Sequence, residues 1–416
     1  MANVIALAAA AAGLSRSDAL RIGIDITALQ IREGRHGIGS YLRGLVRALA
    51  RRDPGHELLL FGYSRPDPGL GPLPGWLRVI TLPVPPLGRS RALISHQVVL
   101  PLMARRLGLR VLHVPGVSVN ASMPGIPLWQ SVPLVVTVHD LSPLRFPHEI
   151  LPRRRHRLFY RMMLRAAARA AHIVCDSHST RRDVLSRLGV PAARVTVIPL
   201  APDPFFTPAA KPADDPPADP LPAGGYLLHV GGPLPLKNLG RLLDAMVELW
   251  TDETVSTDLA CVTPTPFDPM ALCPAASPYR DRIHVLESVS ARRLRWLYRH
   301  AVCLAFPSLY EGFGLPVLEA MASGCPVITS SIASLPEVGG DAAVYVEPSN
   351  VASIRDALRN LIQSPRQQAD LRDAGFRQVK RFSYEATADA TLVVYERAGR
   401  EIPGSRVSFP RRRRRG

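Results

Sequence analysis

Cysteine is scarce in this sequence, with five residues in 416, at positions 175, 261, 273, 303 and 325. No CxxC pair or other metal-ligand spacing occurs, which excludes a disulfide framework and a thiolate metal site, and the odd count fits a reducing compartment. No apolar run reaches the length of a membrane span, so a transmembrane helix is not expected. No Asp-x-Asp pair stands at a strand end, and no metal is expected. Acids are few as well: 34 against 51 basic residues, a formal net charge of +17. That imbalance favours anionic partners, namely nucleotide diphosphates, lipid headgroups or nucleic acid. An apolar content of 47% with only 20% charged residues describes a globular chain, and 416 residues suffice for two or three domains.

The apolar stretch Val4–Leu14 has no Lys or Arg before it, so a secretory leader is not expected and residues 1–20 read as an extension. The most informative stretch is Pro307–Thr329. Ala301–Phe306 is an apolar run suited to a buried strand. Glu311-Gly-Phe-Gly314 then reads as a turn. Pro316 suits the first helical position, Val317, Leu318 and Met321 supply an apolar face, and Gly324 ends the helix before a strand from Pro326. A helix opening right after a glycine turn offers free N–H groups and a positive dipole end, a seat for phosphate. Glu311 in the loop and Glu319 in the first turn or so flank that seat. Carboxylates repel a diphosphate, so these two are expected to accept hydrogen bonds from sugar or ribose diols. The combination suits a nucleotide sugar.

The Glu-x7-Glu spacing from Glu311 to Glu319, inside Ser-Leu-Tyr-Glu-Gly-Phe-Gly-Leu-Pro-x-x-Glu-Ala-Met-Ala-x-Gly-x-Pro-Val-Ile, resembles the signature of the retaining glycosyltransferase family 4. The resemblance runs from Arg21 to about Ala398 and is specific at four strings. It implies the α/β GT-B fold: two Rossmann-like doubly wound domains facing a cleft. The other three strings gain meaning beside it. Arg21–Ile26 is the first strand, and the basic loop Arg32–Gly39 after it holds a Gly-x-Gly that alone is as much an ordinary surface turn as an anion site. Its place is similar to the family's N-terminal glycine loop, which assigns Gly37 and Gly39 to the donor phosphates. Val135–Val138 runs directly into His139-Asp140 at a strand C-terminus, where doubly wound sheets hold ligands. A core histidine bonded to a carbonyl is the competing reading. Similarity to the family's Thr-Val-His-Asp string implies that His139 contacts the donor sugar or acts in catalysis, with Asp140 as its support.

In Tyr226–Asn238, Gly231 and Lys237 resemble the family's Val-Gly-x…Lys-Asn motif. Lys237 stands at a helix's positive end, unfavourable for a cation unless an anion binds there, against the alternative of a solvated lysine. Many members carry arginines where this chain has Gly232 and Leu236, so the phosphate grip is expected to rest on Lys237 and backbone N–H groups. The resemblance thus assigns His139 and Glu311 to catalysis. It assigns Gly37, Gly39, Gly231, Lys237, Glu311, Gly312, Phe313, Gly314, Leu315 and Glu319 to the donor.

Further strands are expected over Glu57–Phe61, Leu77–Leu82, Val111–Val114, Ile173–Ser177, Val195–Pro199, Leu259–Val262 and Arg282–Leu286. Helices are expected over Ala92–Leu107 (interrupted near Pro101), His178–Leu188, Ser290–Tyr298, Val351–Gln378 and a last helix ending near Arg397. Residues 153–169 interleave seven arginines with apolar residues. That pattern reads equally as a helix lying on an anionic membrane and as a solvated face over a core stripe. The loop Pro115–Pro133 is long enough to serve an acceptor. Glu337 and Asp341 read as caps and loop acids.

Proline-rich residues 201–225 mark a boundary between an N-terminal acceptor-side domain over 21–200 and a nucleotide-sugar domain over 226–385. A crossover helix over 386–400 and a basic tail over 401–416 close the chain. The functional expectation is a retaining glycosyltransferase without cofactor. Its donor is a nucleotide diphosphate sugar, mannose by resemblance, and its acceptor a glycan or lipid-linked hydroxyl. It is expected to be cytoplasmic, peripheral at the inner face of the plasma membrane, in cell-surface polysaccharide or lipid-linked glycan synthesis. Another GT-B chemistry (epimerase or phosphorylase) and a basic membrane- or nucleic-acid-binding protein are the rivals; nucleic acid is the less favoured partner.

Overall fold

The computed structural model describes residues 19–30, 37–52, 55–64, 67–83, 93–116, 125–207, 221 and 225–400. The extension before 19, the loop residues 31–36, most of the proline-rich stretch and the tail after 400 lie outside the described residues. Two all-parallel sheets organise the chain. The first comprises β1 (Arg21–Asp25), β2 (Glu57–Gly62), β3 (Leu77–Thr81), β4 (Val111–Pro115), β5 (Leu134–Val138), β6 (His172–Cys175) and β7 (Val195–Val197), in the order β3-β2-β1-β4-β5-β6-β7. The second comprises β8 (Tyr226–Val230), β9 (Asp258–Thr263), β10 (Ile283–Glu287), β11 (Cys303–Phe306), β12 (Val327–Ser330) and β13 (Val344–Val346), in the order β10-β9-β8-β11-β12-β13. Strands such as Leu58–Phe61 and Cys303–Phe306 are buried throughout, as expected for sheets covered on both faces.

Around the first sheet lie α1 (Gly37–Ala50), α2 (Leu100–Arg106), α3 (Arg154–Ala167) and α4 (His178–Leu188). Around the second lie α5 (Leu239–Thr251), α6 (Ala291–His300), α7 (Leu315–Ala322), α8 (Val351–Ile362) and α9 (Pro365–Val379). In each sheet the strand order reverses beside the first strand, between β1 and β4 and between β8 and β11. Ligands of doubly wound sheets bind at the carboxyl ends of such switch points. The sheets therefore bring two crevices into play, and the Glu311 loop leaves β11 directly at one of them.

The last helix, α10 (Tyr384–Arg400), packs on α1, β4 and β5 of the first sheet. Its Tyr384 ring fills the space beside Gly44, where a Cβ would come within 2.1 Å of the ring, and its hydroxyl donates to the Ser40 carbonyl at 3.1 Å. Only glycine lets the two helices approach so closely.

Three local expectations are corrected. The segment 351–378 is two helices, because Pro365 lacks an N–H and Ser364 caps a new start by accepting from the Gln367 N–H. The interruption near Pro101 is a π-helical turn, Ser95–Val99, feeding α2, a common accommodation where a proline removes a ladder bond. Leu315, not Pro316, is the first residue of α7, so Glu319 stands one position further into the helix than expected.

Candidate active site at the two switch points

Gly312 fixes the distance between the two halves. A Cβ on it would stand 1.9 Å from the His139 carbonyl oxygen, so the loop backbone lies directly on the end of β5. The Gly312 carbonyl accepts from the Ser177 hydroxyl at 2.7 Å and from the Thr180 hydroxyl at 3.1 Å. Tyr310, 1% exposed, donates its hydroxyl to Asp183 at 2.7 Å, with the Arg145 guanidinium 4.7 Å from its ring centroid. Glu337 reaches over from the second sheet and accepts from the His178 and Ser179 N–H groups at 2.7 and 2.8 Å. Glu337 is thus a helix cap, as expected, but of a helix belonging to the other sheet.

His139 sits at the end of β5 with its Nδ1 2.6 Å from Asp176 Oδ2. Asp176 follows β6, the neighbouring strand, and is buried. Asp140 does not hydrogen-bond His139 as expected, although its charge helps to raise the imidazole. Its carboxylate turns away and accepts from the Ser142 N–H at 2.7 Å, a local turn, because adjacent residues leaving a strand point in opposite directions. Burial pulls the His139 imidazole toward the neutral form, but the charge and hydrogen bond of Asp176 outweigh it and raise its pKa. Burial likewise raises Asp176 against the pull of His139. Both shifts keep a proton on the pair. With Nδ1 held by Asp176, Nε2 is buried without a hydrogen-bond partner among the described residues. A buried orphan of this kind calls for an explanation, and a ligand oxygen supplies one.

Behind His139 runs a buried polar chain. The Tyr41 ring meets the imidazole edge-on with centroids 5.1 Å apart. Its hydroxyl is 3.2 Å from Thr137, which is 2.8 Å from His113 Nε2, whose Nδ1 is 2.6 Å from the Tyr395 hydroxyl of α10. Burial holds His113 far down, at about 3, so it is neutral and bridges the two hydroxyls.

On the second sheet, Lys237 Nζ lies 2.7 Å from Glu311 Oε1 and 5.1 Å from the Phe306 ring centroid. Gly231, at φ 154°, lets the lysine stem cross the strand end, since a Cβ there would come within 3.2 Å of it. Glu311 Oε2 has no partner among the described residues. Asn238, in the left-handed region, donates to the Pro307 and Pro348 carbonyls at 2.9 and 2.7 Å and so clamps the turn carrying Lys237 to the loop. Leu236 is in the core and Gly232 offers no side chain, which leaves Lys237 as the cation in this motif.

Gly314, at φ 115°, precedes α7, and no side chain caps that helix. The Gly37 Cα at the start of α1 faces the same spot: a Cβ on it would lie 3.8 Å from Leu315. Two helix N-termini therefore converge, each a positive dipole end. Gly39 is buried within α1. Phe313 packs edge-on against Phe382 at 6.0 Å, so it contributes backbone to the loop and its ring to the core. Glu319, on α7, accepts from the Tyr298 hydroxyl at 3.2 Å, and burial pushes its carboxyl up to about 7.

The structure thus gathers Gly37, His139, Glu311, Gly312, Gly314 and Leu315 at one place, with Gly231 and Lys237 adjoining. Asp176, Tyr310, Asn238 and Ser177 were not assigned roles from sequence. The detectable signal for Asp176 was its position as a carboxylate closing an apolar strand. Among the described residues no group of three or more His, Cys, Asp or Glu side chains could hold a metal, and no helix is long and apolar enough to cross a membrane.

Comparison with known proteins agrees with this architecture. The family described as Glycosyltransferase Family 4 matches residues 35–204, and that described as Glycosyl transferases group 1 matches residues 224–364. An MMP alpha-(1->4)-mannosyltransferase of Mycolicibacterium hassiacum is 31% identical over 64% of this chain and 66% of its own length. The O-antigen chain mannosyltransferase B of Escherichia coli is 30% identical over 63% of this chain and 70% of its own. The matches span about two thirds of these relatives. Among solved structures, sucrose-phosphate synthase of Thermosynechococcus elongatus superposes with a TM-score of 0.66 at 19% identity, covering 89% of this chain and 96% of that one. HepE of Anabaena, in complex with UDP and glucose, gives 0.63 at 16% identity over 89% and 97%. These are GT-B folds, as expected from the sequence.

Proposed function

This chain belongs to glycosyltransferase family 4 and is a glycosyltransferase, and on that premise we propose that it moves a hexose from a nucleotide diphosphate sugar to a hydroxyl acceptor with retention of configuration. Mannose is the sugar favoured by the mannosyltransferase relatives, and a cell-surface or lipid-linked glycan is the acceptor class. The observation that carries the reading is the Gly312 contact on the His139 backbone, which brings the residue with the orphaned imidazole nitrogen beside the Glu311 loop at the meeting of two switch points.

In this reading the nucleotide half rests on the second sheet. Glu319 accepts from ribose hydroxyls in its ionised form. Lys237 and the N–H groups of Gly314 and Leu315 take the diphosphate. They stabilise the charge that grows on the leaving group, the kind of interaction that usually supplies the largest single part of catalysis. Glu311 Oε2 accepts from a sugar hydroxyl while Oε1 holds Lys237. Protonated His139 donates from Nε2 to a sugar oxygen. The acceptor oxygen attacks the anomeric carbon on the face that the diphosphate leaves. The C1–O bond to phosphate breaks, and the acceptor proton passes to the departing phosphate oxygen. No protein nucleophile and no metal is assigned to this step.

The test is product analysis with a panel of nucleotide sugars, with and without glycan acceptors. The expected result is acceptor-dependent release of one nucleoside diphosphate and a product of retained configuration. Lys237→Ala is expected to lower turnover by about a hundredfold to a thousandfold. Donor epimerised without acceptor, or phosphorolysis of a glycan, would contradict the proposal.

A further inference from the structure

We propose that the outer face formed by α2, α3 and the loop residues 125–133 before β5 docks on an anionic lipid bilayer. The proposal rests on the glycosyltransferase reading only for its purpose, which is to bring a membrane-borne acceptor to the cleft.

Of the large apolar side chains exposed among the described residues, four lie here: Val98 at 49%, Leu102 at 45%, Trp129 at 47% and Leu158 at 54%. They belong to one surface because the loop is laced to both helical segments. Gln97 donates to the Ile126 carbonyl and accepts from the Leu128 N–H, and Ser131 donates to the Pro101 carbonyl at 2.6 Å. On the other side, Gln130 donates to the Ala166 carbonyl and Arg169 to the Leu128 carbonyl. Val98 and Leu102 are four apart in sequence, on one helical side. On α3, Arg154, Leu158, Arg161 and Arg165 recur at helical spacing on the side opposite buried Tyr160, Met163 and Leu164.

The charge of this region identifies the occupant. Residues 95–116, 125–134 and 151–171, the segments that carry this face, hold ten arginines and no acid. Arg154, Arg161 and Arg165 form no ion pair among the described residues. A solvated helix face would intersperse both signs. Apolar side chains set among unpaired arginines instead match a surface with a phosphate layer over hydrocarbon.

The experiment is co-sedimentation of the full chain with phosphatidylcholine vesicles, with and without phosphatidylglycerol. Trp quenching by brominated acyl chains is read alongside. Binding to the anionic vesicles alone is expected. Each arginine near such a surface is worth about fivefold, so Arg154→Glu, Arg161→Glu and Arg165→Glu together are expected to weaken partitioning about a hundredfold. Quenching is expected in the parent and absent in Trp129→Phe. Nucleoside diphosphate binding, measured on the same variants, is expected to be unchanged, so failure of the docking face and failure of the donor site are distinguishable. Replacing Arg411–Arg415 by serine controls for the tail. Vesicle binding abolished by that change and insensitive to the α3 reversals would overturn the proposal. So would absence of quenching, or binding to polynucleotide but not to anionic vesicles.

Discussion

Glu319 is a carboxylate held at a cost. Burial raises its pKa from 4.5 to about 7, so the folded chain holds a proton there more tightly than the unfolded one. The stabilisation attached to that proton is full below about 4.5 and is lost as pH rises through about 7. Glu319→Gln removes the ionisable group and keeps the Tyr298 contact. It is therefore expected to be more stable than the parent at pH 8 by about 1–2 kcal/mol after allowing for partial exposure, and so to melt higher, with little difference at pH 4.5. Thermal melts at the two pH values check this. His139 gives the opposite lever. Asp176→Asn removes the charge that raises the imidazole, so the alkaline fall of turnover is expected to move to lower pH, and turnover at pH 8 to drop about tenfold to a hundredfold. A pH profile of turnover reads it. Glu311, Lys237 and His139 were legible in the sequence because each stands in a string with a local physical reason. Asp176 was not, because its partner is 37 residues away on a neighbouring strand and adjacent Asp140 offered a simpler pairing that strand geometry forbids.

At the scale of elements, α4 couples the halves. Its Ser177 cap also holds the Gly312 carbonyl, while Glu337 from the second sheet satisfies two of its first N–H groups. A carboxylate on a helix N-terminus is worth about 1–2 kcal/mol. Glu337→Ala is expected to speed hydrogen exchange at His178 and Ser179 about tenfold while exchange in the β-strands is unchanged. Unchanged exchange at both amides would show that the contact contributes nothing to closure. Most elements were readable because fully buried parallel strands appear as short apolar runs and their helices carry apolar stripes. The exceptions have separate causes. Pro365 restarts a helix that its periodicity carries through, and Val344–Val346 is too short and too little buried to stand out from a loop.

For the whole molecule, the sheets are joined where chemistry is expected, and α10 returns to the first sheet so that both ends of the described chain share one body. The pairing of two doubly wound sheets followed from the family resemblance; the closeness of their approach did not. Gly312 against His139 and Gly44 against Tyr384 are contacts between residues 173 and 340 positions apart, which no local pattern encodes. The proposed function requires that a nucleotide sugar bind in this cleft with its nucleotide on the second sheet. Calorimetric titration of UDP, GDP and ADP into the parent, Glu319→Gln and Lys237→Ala tests it most directly. One nucleotide is expected to bind the parent and to weaken about tenfold or more in each variant, since each loses a charge-assisted contact. Equal binding in all three proteins, or no binding by a folded parent, would contradict that claim.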